Sequence, residues 1–422
     1  MEPQLAKGVK DYPPGSMIAR QKIIDRLTDV FQRYGFNPMQ TPILERYDTL
    51  AVKFGAGDQS DAMKEIFKLH DQGNRELGLR FELTLSLCRY IAMNPKLKMP
   101  FKRYEVGRVY RDGPIKLGRL REFTQCDVDI VGTSSMLSDA EIILLGLRAI
   151  RELGLEAYIE VNNRKLLKGI LEEARVKEKQ DEAIIVIDKL KKIGDKGVSE
   201  ELQELGISQD SINQILDILK ITGETEEMLD KLSEVIKNDT GQQGIKELRE
   251  VFSYIPDDNA VLNITLARGL SYYTGTIFEG FLKDSKITSS ICGGGRYDDM
   301  IGMMLDQDKK IPGIGISFGL APILEAQEEQ DKESVTRIYV IPIGDVQKEA
   351  LQITESLRER HRCDIDLNKR GITKNLKYVN SYKIPYAIFI GEEELQKGIV
   401  KIRDMETGEE HAVKKEELND WF

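Results

Sequence analysis

After Pro13 and Pro14, apolar residues recur at spacings of three and four: Ile23, Ile24, Leu27, Val30, Phe31 and Tyr34 form one stripe. That period predicts a helix capped by Ser16 and ended by Gly35. "FNPMQTPILE" follows as an extended segment broken by Pro38 and Pro42, which suits a sheet edge or a subunit interface. From Phe101 to Gly132 the pattern changes to two long strands around the loop "RDGPIKLGR". On the return strand Arg121, Gln125, Asp127 and Asp129 share one face, while Cys126, Val128 and Ile130 share the other. A helix near Ser138 to Leu153 and a strand "AYIEVN" come next.

Between about Asn163 and Pro256 the chain is charged, rich in Lys, Glu, Leu and Ile, and helical in period, as an insertion would be. Strand character resumes at Val261 and runs through "LARGLSYYTGTIFEG", read as one strand, then "ICGGGRYDDM" and "PGIGISFGL". The polar run "EAQEEQDKESVTR" reads as a linker, placing a first domain at 1–330, a linker at 331–336 and a second domain at 337–422. Within the last segment "IYVIPIG", "CDIDL", "YAIFIG" and "IVKIRD" alternate with helices, the pattern of a small, five-stranded α/β domain.

A chain of 422 residues, 41% hydrophobic and 31% charged, is long enough for two or three well-packed domains and is ordinary for a folded protein. No apolar run reaches the roughly 20 residues that span a bilayer and the first residues lack a leader's apolar core, so a cytoplasmic protein without a membrane partner is expected. Cys88, Cys126, Cys292 and Cys363 are widely spaced, as buried thiols would be, and three histidines, His70, His361 and His411, make a protein-built metal site improbable. A formal charge of −10 argues against indiscriminate nucleic-acid binding while leaving room for a local basic surface.

Antiparallel sheets often expose one polar face, so the stripe on the return strand is not by itself a site. Arg111 before the loop and Arg119 and Arg121 after it change that reading, because three guanidiniums around one turn make a phosphate clamp. "GGGRYDDM" lacks the spacing of a phosphate loop, and its glycines suit close backbone approach. In "PGIGISFGL" the apolar Ile314, Ile316 and Phe318 alternate with Gly313, Gly315 and Ser317; the bare face suits a flat ligand or tight packing equally. Arg268, Tyr272, Tyr273 and Glu279 serve a site or ordinary cross-strand pairing. Lys369, Arg370, Lys374 and Lys377 form either a solvated helix face or an RNA contact.

In their order along nearly the whole chain, these stretches resemble the histidyl-tRNA synthetases, a class II aminoacyl-tRNA synthetase family. "KGVKDYPP" resembles the N-terminal signature, "FNPMQTPILE" motif 1 and "YRDGPIKLGRLREFTQCDVDIVG" motif 2. "ARGLSYYTGTIFE" and "CGGGRYD" resemble two peptides peculiar to the histidine-specific members, "PGIGISFGL" the start of motif 3, and "KNLKYVNSYKIPYAIFIGEEELQKG" the anticodon-binding domain. The resemblance implies an α+β catalytic core with a mainly antiparallel sheet and a helical insertion, plus a C-terminal α/β anticodon-binding domain. It also implies a homodimer using histidine, ATP with Mg2+, and histidine tRNA.

By that resemblance Glu82, Thr84 and Gln125 hold the α-ammonium, and Asp129, Tyr272, Tyr273 and Tyr297 surround the imidazole. Arg111 and Arg268 act on the α-phosphate from opposite sides. Arg119, Arg121, Gly313, Gly315 and Gly319 fall to ATP, and Arg370, Lys374 and Lys377 to tRNA. Three features depart from the family pattern. Ala321 and Pro322 stand where motif 3 has an acid and an arginine, Gly113 replaces the adenine-facing glutamate of motif 2 with Asp112 one place early, and Ser271 replaces an aspartate. Lys116, Arg119 and Arg296 are then the cations available to the γ-phosphate. The rival expectation is an impaired paralogue that senses histidine or regulates another enzyme.

Overall fold

The structure, a computed structural model, describes residues 2–52, 65–115, 120–256, 259–268, 272–305, 310–327 and 334–422. The chain divides into two units: Met1–Lys10 with Ile23–Glu328, and Asp11–Lys22 with Glu329–Phe422.

The first helix runs Pro14–Arg33. It begins two residues before the expected Ser16 cap, because proline fits a first turn whose N–H groups have no partner. Gly35 ends it with φ of +79°, as expected. Beyond it lie β1 (Asn37–Pro38), β2 (Leu44–Arg46), β3 (Lys68–His70) and β4 (Glu76–Leu79), of which the last three form a small sheet in the order β2-β4-β3.

The main sheet adds β5 (Phe101–Tyr110), β6 (Glu122–Val131), β7 (Ala157–Asn163), β8 (Ala260–Leu262), β9 (Thr276–Leu282), β10 (Cys292–Arg296) and β11 (Gly313–Gly319). Its eight strands run β1-β5-β6-β11-β10-β9-β7-β8 and are antiparallel except for the outermost pairs β1·β5 and β7·β8. Cys126, Val128 and Ile130 of β6 and Ile314, Ile316 and Phe318 of β11 enter one core with Ile23, Leu27, Val30 and Phe31. Burying such a side chain contributes about 1.5–3 kcal/mol, so this face is fixed, and the period of two leaves the opposite face for polar groups.

Between β7 and β8 the insertion is six helices among the described residues, from Arg164–Glu173 to Asp239–Ser253. Ile184, Leu202, Ile215 and Leu248 share the core of the sheet. "LARGLSYYTGTIFEG" is not one strand: β9 begins only at Thr276. Arg268, with φ of +56°, has a left-handed backbone that no strand residue adopts.

In the second unit β12 (Ile338–Ile343), β13 (Cys363–Ile365), β14 (Tyr386–Gly391), β15 (Ile399–Asp404) and β16 (Glu410–Lys414) form a five-stranded sheet, β13-β12-β14-β15-β16. Alternate residues of β12 serve opposite faces: Val340 packs with Ile353 and Leu357 of the helix Gln347–Arg358, and Tyr339 and Ile341 with Val379 of the helix Ile372–Ser381.

Candidate functional site

The polar face of β6 is the floor of a cleft of about 80 Å³ lined by Gln125, Asp127 and Asp129. Pairing sets Gly315 opposite Asp129 and Ser317 opposite Asp127. A β-carbon at Gly315 would collide with the Asp129 carboxylate, so the bare strand face is room for an acid. Tyr297 Oη donates to Asp129 Oδ1 at 2.7 Å, and Arg103 Nη2 lies 2.8 Å from Oδ2. Arg103 also neighbours Glu105, which Arg80 holds at 2.7 Å, so the acids below the floor are paired. Burial pushes the Asp129 carboxyl up against the pull of Arg103, and it pushes Asp127 up to about 8.

Glu82 enters from the segment before the helix Thr84–Met93 and accepts the backbone N–H groups of Thr84 at 3.0 Å and Leu85 at 2.5 Å. These are first-turn donors without helical partners, which fixes the carboxylate at the rim of the cleft. Burial nevertheless raises its pKa. Arg111 donates Nε to the Phe81 carbonyl at 3.2 Å, with its guanidinium 5.0 Å from the centre of the Phe123 ring. Tyr272 and Tyr273 stand 4.7 Å apart at 56°, and Tyr273 lies 5.6 Å from the Arg268 guanidinium.

Arg268 is placed by three constraints. Asp188 of the insertion accepts the N–H groups of Ala267 at 3.1 Å and Arg268 at 2.9 Å. Nη1 donates to the Phe278 carbonyl at 3.1 Å and lies 3.5 Å from Glu279 Oε1. Finally, a β-carbon at Gly293 would strike the guanidinium, so the glycine run provides its seat. Burial opposes the charge, but Tyr273 and Glu279 outweigh it, and the pKa of Arg268 lies above its ordinary value.

The cleft unites Glu82, Thr84, Arg111, Gln125, Asp129, Arg268, Tyr272, Tyr273, Tyr297 and Gly315. Arg121 is turned elsewhere, 3.1 Å from Asp112 and donating to the Gly113 carbonyl at 3.2 Å. Gly313 backs the Tyr297 ring and Gly319 meets Pro322, so of the three expected glycines only Gly315 lines the cleft. Arg119, Lys116 and Ser271 lie outside the described residues.

Arg296 is not available to a phosphate. It is 1% exposed, with Nε donating to Asp139 at 3.1 Å, Nη1 to Asp298 at 3.2 Å and Nη2 to Ser138 at 3.0 Å. At Gly113 the Glu65 carboxylate fills the space a side chain would take, and the Asp112 N–H donates to the Glu65 carbonyl at 2.7 Å. Asp127 was not among the expected site residues, although its parity with Gln125 and Asp129 was the signal that places it in the cleft.

In the second unit, Asp366 accepts the N–H groups of Asn368 at 3.0 Å and Arg370 at 2.6 Å and so shapes the basic loop. The Arg370 guanidinium lies 4.8 Å from the centre of the Tyr378 ring, and Lys374 and Lys377 are exposed on the following helix.

A family model described as "Histidyl-tRNA synthetase" matches residues 8–323, and one described as "Anticodon binding domain" matches 337–422. Histidine–tRNA ligase 1 of Bacillus cereus is 42% identical, over 100% of this chain and 97% of that protein. The crystal structure of histidyl-tRNA synthetase from Nostoc superposes with a TM-score of 0.87 at 28% identity, covering 100% and 99% of the two chains. A structure titled as an ATP phosphoribosyltransferase regulatory subunit/histidyl-tRNA synthetase from Bacillus halodurans shares the fold, with a TM-score of 0.76 at 22% identity over 92% and 98%. With a profile matched across most of its length and a full-length relative well above 30% identity, the chain belongs to the histidyl-tRNA synthetase family.

Proposed function

We propose that the chain is a histidine–tRNA ligase: histidine and Mg-ATP give histidyl-adenylate and pyrophosphate, and the histidyl group then passes to the 3′ end of histidine tRNA with release of AMP. The observation that carries this reading is one cleft holding both halves of the chemistry. Its floor offers Asp129, oriented by Tyr297, to an imidazole N–H, and its rim offers Arg111 and Arg268 to phosphate oxygens.

Histidine lies along β6 with its ring toward Asp129 and its ammonium toward Gln125, Glu82 and Thr84. Its carboxylate attacks the α-phosphorus in line, the bond to the pyrophosphate oxygen breaks, and negative charge grows on the phosphoryl oxygens. Arg268, fixed before substrate arrives, stabilises that charge without reorganising. Magnesium enters on the triphosphate as part of the co-substrate. Glu65 supplies at Gly113 the carboxylate that faces adenine, replacing the acid absent from the chain position.

Arg370, Lys374 and Lys377 contact histidine tRNA, with Tyr378 offering a ring for stacking. The enzyme works as a cytoplasmic homodimer, and the homodimer is supported by Ile43 and Leu44, 39% and 47% exposed at the start of β2, an edge strand of the small sheet. Ala321 and Pro322 favour a second reading, a histidine-binding regulator with weakened ATP chemistry.

Histidine-dependent exchange of labelled pyrophosphate into ATP decides between them. The ligase exchanges, and Arg268→Ala lowers the rate by about two to three decades, corresponding to about 2.7–4 kcal/mol. Histidine binding without exchange would leave the regulator.

A further inference from the structure

Gln125, Asp127 and Asp129 stand at successive positions on one face of β6, about 7 Å apart by strand geometry. Asp129 accepts from Tyr297 at Oδ1 and has the Arg103 ion pair 2.8 Å from Oδ2, which gains no hydrogen bond. At the middle position one oxygen has neither. Asp127 is 4% exposed, and its Oδ1 has no hydrogen-bond donor among the described residues; neither has Gln125 Oε1, one step along the same face. The Gln125 amide donates to Ser317 Oγ at 2.9 Å, and Ser317 hydrogen-bonds to Asp127, so both side chains are locked with one acceptor each unfilled.

Buried acceptors without donors are costly, on the order of 1–3 kcal/mol each, and two in one cleft call for a ligand group bearing several N–H bonds. The charge balance asks for the same thing. Glu82, Asp127 and Asp129 face this end, while Arg103 is the cation beside Asp127 and is shared with Asp129 and Glu105. Arg111 and Arg268 line the same cleft.

We propose that Asp127 is a further substrate-binding residue that, with Gln125, receives the α-ammonium ion of the amino acid. An ammonium ion carries three donors and one positive charge, which fills both acceptors and offsets the surplus acid. Without it, burial and the neighbouring Asp129 and Glu82 charges outweigh Arg103 and keep a proton on Asp127 at neutral pH. Binding therefore expels that proton to solvent: the ammonium enters, the O–H bond of the carboxyl breaks, and the total charge of protein plus ligand falls by one. The inference rests on histidine being the substrate and adds Asp127 to the groups that read its amine.

The test is titration calorimetry of the full chain at pH 7 in buffers of differing ionisation enthalpy, with histidine and with imidazolepropionate, which keeps the ring and carboxylate but lacks the amine. The α-ammonium ion lowers the imidazole pKa of histidine relative to that of imidazolepropionate, so each ligand's ring is titrated separately and its own proton change subtracted. Histidine is expected to release about one proton more than imidazolepropionate. In Asp127→Asn that difference disappears and histidine binds about tenfold or more weaker, with imidazolepropionate little changed. Unchanged histidine affinity in Asp127→Asn overturns the proposal, as does an equal loss of affinity for imidazolepropionate. If imidazolepropionate binds and histidine does not, Asp127 is not an ammonium site; if neither binds, the histidine reading falls first.

Discussion

Two arginines near the cleft, Arg296 buried and Arg268 partly buried, separate structure from chemistry. Arg296 ties β10 to Asp139, which is fully buried, and removing the cation leaves that carboxylate uncompensated. Arg296→Met is expected to cost about 3–5 kcal/mol of stability, read by denaturant unfolding, without a specific rise in KM for ATP. Arg268→Ala is expected to do the reverse, losing exchange activity with little change in unfolding. Asp127 adds a pH signature. Its folded-state pKa lies above that of an unfolded aspartate, so its contribution is full below the ordinary carboxylate range and is lost as pH rises through about 8. The ligand-free protein should thus lose Tm between pH 5 and 8.5, Asp127→Asn should lose less, and saturating histidine should offset part of the wild-type loss. Sequence alone pointed to most of the residues that line the cleft because they sit within recognisable peptides. It missed Asp127 because a polar strand face looks the same whether it meets water or substrate.

Among the elements, β6 and β11 were legible from alternation, since one apolar face dictates register. The segment before β9 was not. Its aromatic and branched residues imitate a strand, but Arg268 takes a left-handed backbone held by Asp188, a contact 80 residues away that no local pattern encodes. Gly293 also looks like a generic strand glycine until the Arg268 guanidinium is seen in the space beside it. Gly293→Ala should fold yet displace that guanidinium, lowering exchange by about two decades, the scale set by an ångström of misplacement. In the second unit Lys374 and Lys377 project from a helix pinned through Val379. Reversing both charges to Glu should weaken tRNA binding about tenfold or more and flatten its salt dependence, leaving histidine-dependent exchange unchanged.

For the molecule as a whole, composition set the broad class, and the change from alternating to helical period exposed the insertion. What periodicity did not reveal was that the insertion has no separate core: its leucines and isoleucines enter the same apolar cluster as β7 and β9. The grouping of Asp11–Lys22 with Glu329–Phe422 was likewise invisible, because a helix pattern says nothing about which unit each turn joins. A net charge of −10 beside an exposed basic helix fits a protein that meets RNA locally rather than everywhere. Truncation before Arg337 should accordingly abolish tRNA binding while histidine binding persists; unchanged tRNA binding would reject the second unit as the RNA reader.

The grip of Asp188 on the amides of Ala267 and Arg268 makes these two protons reporters. Their exchange with deuterated solvent requires the insertion to let go of the segment that carries the arginine. The slower they exchange, the more rigidly the insertion and the catalytic cleft move as one piece. Asp188→Ala would cut that tether while leaving every side chain in the cleft chemically unaltered, showing whether holding the backbone from outside is what keeps the guanidinium aimed.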